Sequence, residues 1–142
     1  MLKENVQIRD FTMEYYDGAL ALWRRDTHIG LSSADSREAM EVFLRRNNGL
    51  SKVMICGGRL IGMVLGGHDG RRGYIYHLYV EPDHRRVGMA TLLIDACLDS
   101  LRQDGIQKCH LFIFKDNEVG KRFWAGTLWK KRDDIEVFSR DI

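Results

Sequence analysis

A mixed α/β fold is predicted from three observations on this 142-residue chain. Short runs rich in β-branched and aromatic residues alternate with stretches whose apolar residues recur every three or four positions, so strands and helices interleave. Gly57-Gly58 stands between two apolar runs and marks a hairpin with a tight primed turn. The run Tyr74-Ile75-Tyr76-His77-Leu78-Tyr79-Val80 feeds a helical pattern directly, through a turn that carries two arginines and a glycine.

In chain order, Val6–Asp10 is a short alternating run that reads as an edge strand. A helix follows with Tyr16, Ala19, Leu20 and Trp23 on one face and Asp26 near its end; His28 to Asp35 is a loop. Ser36 is placed to cap a second helix, whose buried side is Ala39, Met40, Phe43 and Leu44 and which Asn47-Asn48-Gly49 closes. Residues 52–56 and 59–65 form the hairpin, and a turn at 69–73 leads into the strand at Tyr74–Val80. Glu81-Pro82-Asp83 stops that strand. Val87, Ala90, Ile94, Cys97, Leu98 and Leu101 then fall on one helical face. Residues 108–114 read as the next strand, followed by a short helix and a last strand around Glu136-Val137-Phe138. No repeat or Pro-rich linker interrupts the order, so residues 1–142 are expected to form one domain.

The turn from strand to helix carries the chemistry. The first amides of a helix lack internal partners and sit at the positive end of its dipole, so a phosphate placed there finds donors and field together. Gly88 removes the Cβ that would hold a ligand off, and Ala90 is nearly as small. Taken alone, Arg85 and Arg86 would be a solvated turn; before Gly88 at such a junction they read as part of a pyrophosphate cradle.

Arg85, Gly88 and Ala90 form an Arg-x-x-Gly-x-Ala pattern after a Leu-x-Val strand end. This resembles the acetyl-CoA signature of the GCN5-related N-acetyltransferases (GNAT). Asn117-Glu118-Val119-Gly120-Lys121-Arg122-Phe123-Trp124 is similar to that family's Asn-x-x-Ala-x-x-Phe-Tyr helix start. The resemblance implies a mainly antiparallel sheet flanked by helices, with a V-shaped cofactor cleft between the fourth and fifth strands. In that frame the backbone of Leu78, Tyr79 and Val80 would bind the pantetheine arm as if it were another strand. The amides of Arg86, Val87, Gly88, Met89 and Ala90 would hold the pyrophosphate. Asn117 matches a position that contacts the cofactor arm, and Phe123 and Trp124 would line the wall near the thioester.

Acetyl transfer needs a neutral amine placed against an activated thioester, and an alkylamine with a pKa of about 10.4 must first shed a proton. Tyr74, then Tyr76, are the candidate acceptors: they share one face of the strand and match positions where the family often places a base. Either is equally read as a half-buried strand residue. His77 lies on the opposite parity and would join them only if a bulge re-aims it. Many relatives protonate the leaving sulfur with a tyrosine where this chain has Trp124, whose indole cannot act as an acid near neutral pH; water or Tyr79 would substitute. A second departure is Leu128, where relatives carry glycine before an aromatic, so the end of that helix is expected to be built differently. For the acceptor, Trp23, Asp26 and His28 are the residues placed to read a substrate, with Asp35 beside them; Trp23 also reads as core and Asp35 as a helix-start residue.

Composition supports an ordinary globular chain, 44% hydrophobic and 30% charged. No apolar run approaches the roughly 20 residues of a membrane span, and Met1–Asn5 opens no signal-peptide segment, so a cytoplasmic location without membrane association is expected. A formal net charge of +2 gives no reason to invoke nucleic acid. Cys56, Cys97 and Cys109 read as buried free thiols, and the histidines have no metal-ligand spacing, so no metal is expected. The expected activity is direct N-acetyl transfer from acetyl-CoA to a primary amine of a small molecule or peptide, with a homodimer admitted by the resemblance. The alternative is a non-catalytic acyl-CoA sensor or interaction module.

Overall fold

The first four strands pair in sequence order and antiparallel, and the fifth joins the far edge in parallel. They are β1 (Val6–Asp10), β2 (Lys52–Cys56), β3 (Arg59–His68), β4 (Gly73–Val80) and β5 (Cys109–Leu111) in a computed structural model that describes residues 5–85 and 87–142. This is the mixed, mainly antiparallel sheet expected. Backbone proximity separates the chain into a larger unit ending at Phe112 and a smaller one, Ile113–Ile142.

In the larger unit, α1 (Tyr16–Trp23) and α2 (Arg37–Arg46) cover one face of the sheet. Tyr16, Ala19, Trp23 and Met40 pack there with Val53, Ile55, Met63, Leu65 and Tyr79 in one buried cluster. Side chains two apart on a strand share a face, and Val53/Ile55 and Met63/Leu65 follow that rule. Ser36 caps α2 as expected, its hydroxyl accepting from the Ala39 amide at 3.1 Å. The loop before it is not wholly irregular. Ser32 and Asp35 form a capping box around a 3-10 turn at Ser33–Asp35.

The other face carries α3 (Met89–Gln103), which buries Met89, Leu93, Ile94, Cys97 and Leu101. It approaches very closely because β3 offers small residues: a Cβ built on Gly66 would stand 2.5 Å from Cys97 Sγ and 2.9 Å from the Leu50 carbonyl. Burial of each large apolar side chain in these two layers contributes about 1.5–3 kcal/mol. Burial also pushes the Cys97 thiol up to about 12 and that of Cys109 up to about 11, so both remain protonated and neither serves as a nucleophile.

Several boundaries differ from expectation. Val87 precedes α3 and is 38% exposed, because Gly88 breaks the helical path before it. β5 holds three residues rather than seven. Among the described residues no strand follows β5: Glu136-Val137-Phe138 is irregular, with Phe138 91% exposed. Alternation alone does not make a strand; without a ladder partner its amides bond to water instead. The smaller unit contains α4 (Glu118–Ala125). Its end is indeed built without a left-handed residue at Leu128. Gly126 closes it at φ −86°, and the Thr127 hydroxyl donates to the Trp124 carbonyl at 2.5 Å and accepts from the Trp129 amide at 3.2 Å. No helix of the described residues is long and apolar enough to cross a membrane.

Candidate active site

Strand β4 is interrupted at the place where the sheet opens. Tyr79 pairs with Met63 and Tyr76 with Leu65, so His77 and Leu78 together oppose Val64: a β-bulge. His77 takes it up with φ +52°, the one positive-φ residue other than glycine among the described residues. Such a conformation costs a residue with a Cβ about 1–2 kcal/mol. Its effect is to shift parity. Tyr74, Tyr76 and Tyr79 pair with Gly67, Leu65 and Met63, all on the face that α1 and α2 cover, although three residues separate the last two tyrosines.

On its other edge β4 pairs with β5 only at Gly73, Tyr74 and Ile75. Among the described residues no strand pairs with that edge from Tyr76 to Val80, so the backbone of Leu78 and Tyr79 has no ladder partner there. The Val80 carbonyl is already taken, by Arg85 Nε at 2.6 Å, and the Arg85 guanidinium lies 5.4 Å from the Tyr79 ring centre. Arg85 thus fastens the turn after β4 as well as charging it.

The strand leads to the start of α3. Gly88 is the N-cap in the left-handed region, φ +83°, and no side chain caps the helix. A Cβ at Gly88 would meet nothing within 4 Å, so the glycine answers a backbone conformation, with no neighbour in the protein demanding it. The amides of Gly88, Met89 and Ala90 form an uncapped N-terminus of a 15-residue helix. Arg86 lies outside the described residues.

On the α1/α2 face, an aromatic row crosses the strands: Phe43 to Tyr76 at 6.3 Å, Tyr76 to Tyr74 at 6.4 Å, then Tyr74 to His110 at 5.8 Å and to Phe112 at 6.3 Å. Tyr74 and Tyr76 do share a face, as expected. Although Tyr76 is 38% exposed, burial of its phenol and then the neighbouring Tyr74 raise its pKa above the usual 10.0. Tyr76 therefore holds its proton at neutral pH and presents a donor, which weighs against its serving as a base. Tyr79 is shifted the same way, by burial first and Glu81 second, and is 4% exposed in the core. Its expected role as a proton source is not matched by access, because the bulge turns the ring inward.

Trp23, expected at the acceptor wall, stands instead in the core at 0% exposure, stacked on Phe11 at 6.2 Å. Its place in the buried cluster keeps it from touching a substrate. Asp26 and His28 stay near the surface, Asp26 accepting from the His28 amide at 2.8 Å. In the smaller unit, Asn117 caps α4 through its side-chain oxygen, which accepts from the Gly120 amide at 2.8 Å, and Phe123, Trp124 and Trp129 form edge-to-face pairs 4.9 and 5.0 Å apart. One groove, about 430 Å³ and lined by Gln7, Arg9, Glu14, Tyr15, Gly57 and Gly58, includes no residue of β4 or α3. It is a shallow surface feature beside the β2–β3 turn.

One pairing was not legible in the chain. His77 Nε2 lies 2.7 Å from Asp35 Oδ1, and the imidazole packs edge-on to Trp23 at 5.0 Å. Asp35 stands beside the candidate acceptor loop and His77 joins that side only through a bulge, and no sequence signal joins residues 42 apart.

Comparison with known proteins agrees with this geometry. Residues 11–126 match the sequence model described as "Acetyltransferase (GNAT) family". An acetyltransferase of Pectobacterium atrosepticum is 33% identical over 114 residues, 80% of each chain. Among solved structures, Ard1 from Thermoplasma volcanium superposes with a TM-score of 0.75 at 19% identity, covering 86% of this chain and 80% of its own. The AAC(6')-Iy complex with the bisubstrate analogue CoA-S-monomethyl-acetylneamine gives 0.75 at 15% identity, covering 96% and 99%.

Proposed function

Because the chain belongs to the acetyltransferase (GNAT) family, we propose that it is an N-acetyltransferase that moves the acetyl group of acetyl-CoA directly to a primary amine of a small molecule or peptide. The observation that carries this reading is a coincidence on one strand. The β4 bulge, the loss of the β5 partner after Ile75 and the uncapped helix start at Gly88 follow one another within 14 residues. An extended thiol arm ending in a pyrophosphate fits that succession, and the empty space at the Gly88 Cβ position leaves room for the phosphates.

Acetyl-CoA supplies a reactive thioester; the protein supplies position and a proton route. Leu78 and Tyr79 would offer backbone groups to the arm, and the amides of Val87 to Ala90, with Arg86, would bind the diphosphate. Tyr74 and Tyr76 would border the acceptor with phenol donors, and Asp26 and His28 would meet its outer part. Asn117, Phe123 and Trp124 match family positions expected to contact the cofactor and are proposed for that role. The family match runs through both compact units, which supports one domain across residues 1–142. The free thiols support a reducing, cytoplasmic setting.

The test is calorimetric titration with acetyl-CoA, with CoA and ATP as controls, followed by release of free CoA with a panel of amines. Micromolar binding and amine-dependent release support the enzyme; binding without release from any amine favours the sensor. Since indole cannot protonate the leaving sulfur, Trp124→Phe is expected to lower kcat less than about tenfold. A loss of several orders of magnitude with unchanged acetyl-CoA affinity would show that Trp124 takes a direct part.

A further inference from the structure

We infer that His77, held by Asp35, is the group that takes the proton from the acceptor amine. This rests on the acetyl-transfer reading and assigns to the imidazole the role that the tyrosines of β4 fill poorly.

Four observations carry it. The first is strain: a histidine at φ +52° persists only where the surroundings hold it, and strained backbone concentrates at working sites. The second is orientation. Asp35 Oδ2 accepts from the Ser32 amide at 3.0 Å, and the Asp35 carbonyl accepts from the Tyr16 hydroxyl at 2.6 Å, so the carboxylate is fixed before His77 meets it. A carboxylate so engaged accepts, which puts the imidazole proton on Nε2 and leaves the Nδ1 lone pair free. The third is access. The buried side-chain nitrogens and oxygens without a partner among the described residues are Trp23 Nε1 and His84 Nδ1; His77 Nδ1 is not one of them and has no hydrogen-bond partner among those residues, so it retains contact with solvent. The fourth is place. His77 is the bulge itself, at the point where β4 loses its β5 partner and beside Tyr76, which keeps its own proton.

The arrangement is a carboxylate–imidazole dyad assembled from the loop after α1 and the bulge of β4. In the reaction Nδ1 takes one proton from the amine nitrogen as that nitrogen forms its C–N bond to the acetyl carbon. The C–S bond breaks, and solvent returns one proton to sulfur. The products are the acetamide and free CoA, with no oxidant or reductant. Asp35 is a positioning residue: it touches the imidazole and not the amine.

His77→Asn tests this, because asparagine tolerates the left-handed conformation but cannot take the proton. The variant is expected to bind acetyl-CoA within about twofold of wild type by calorimetry and to release CoA about 100-fold more slowly with an amine that wild type acetylates. His77→Gly relieves the strained φ and is expected to keep the fold while losing the same turnover. Asp35→Asn is expected to lower kcat about tenfold with little change in the KM for acetyl-CoA. Nitrogen-15 spectra of the neutral form of the wild-type imidazole are expected to show its proton on Nε2 and none on Nδ1. Turnover of His77→Asn within threefold of wild type overturns the assignment, as does a neutral imidazole whose proton sits on Nδ1. The spectrum reads the dyad independently of turnover. A wild type that binds acetyl-CoA but acetylates no amine overturns the transferase reading and the assignment of His77 with it, and a free Nδ1 then reports only how Asp35 holds the imidazole.

Discussion

Gly88→Glu is expected to weaken acetyl-CoA binding at least 100-fold while leaving the protein folded. Two effects act in the same direction. The substitution forces a side chain into φ +83°, which costs about 1–2 kcal/mol. It also sets a carboxylate where the uncapped amides of α3 would receive a diphosphate; like charges a few ångströms apart at a protein surface repel by about 1–4 kcal/mol. Together these amount to about 2–6 kcal/mol, a range that includes the 2.8 kcal/mol or so corresponding to two decades in Kd. The fold is spared because a Cβ there meets nothing within 4 Å. Gly88→Ala carries the conformational part alone and is expected to lose about tenfold. Calorimetry on both variants beside thermal unfolding measures the two parts separately. Wild-type affinity in Gly88→Glu would move the diphosphate away from the start of α3 and remove the main support for the proposed cofactor placement.

Trp23→Ala is expected to cost about 3–5 kcal/mol of stability, a large share of the roughly 5–15 kcal/mol that holds an ordinary domain together. The indole is fully buried against Phe11 and the His77 imidazole, and its removal leaves a cavity that helix and sheet can close only in part. Urea unfolding should show the midpoint fall sharply with little change in slope. Trp23→Phe is the informative partner. The indole N–H has no hydrogen-bond partner, so phenylalanine loses volume but no protein hydrogen bond, and a cost of about 1–2 kcal/mol is expected. It should leave the KM for the amine unchanged within about twofold. A large rise in that KM with stability retained would return Trp23 to the acceptor wall.

Local rules made much of the molecule legible. Ser36 announced the cap of α2, Gly57-Gly58 the hairpin between β2 and β3, and Arg85, Gly88 and Ala90 the strand-to-helix turn, because each answers to backbone geometry within a few residues. The same locality misplaced three things. Glu136-Val137-Phe138 alternates like a strand but has no ladder, which depends on another segment of chain. Trp23 lies on a helix near a candidate acceptor loop, yet which helix face meets the sheet is fixed by packing. Tyr79 changed sides because a bulge two residues earlier shifts parity, and nothing in Tyr76-His77-Leu78 marks the extra residue.

Propensity, periodicity and the steric freedom of glycine act over one or two turns of chain, so the order of elements from β1 to α4 and the strand-to-helix turn at Gly88 are readable from local residues. Long-range packing instead sets where β4 parts from β5, which face its tyrosines occupy, and that Asp35 meets His77. Those depend on registry between strands and on side chains 42 positions apart, which are brought within 2.7 Å by the packing of α1 and its loop against the bulged strand.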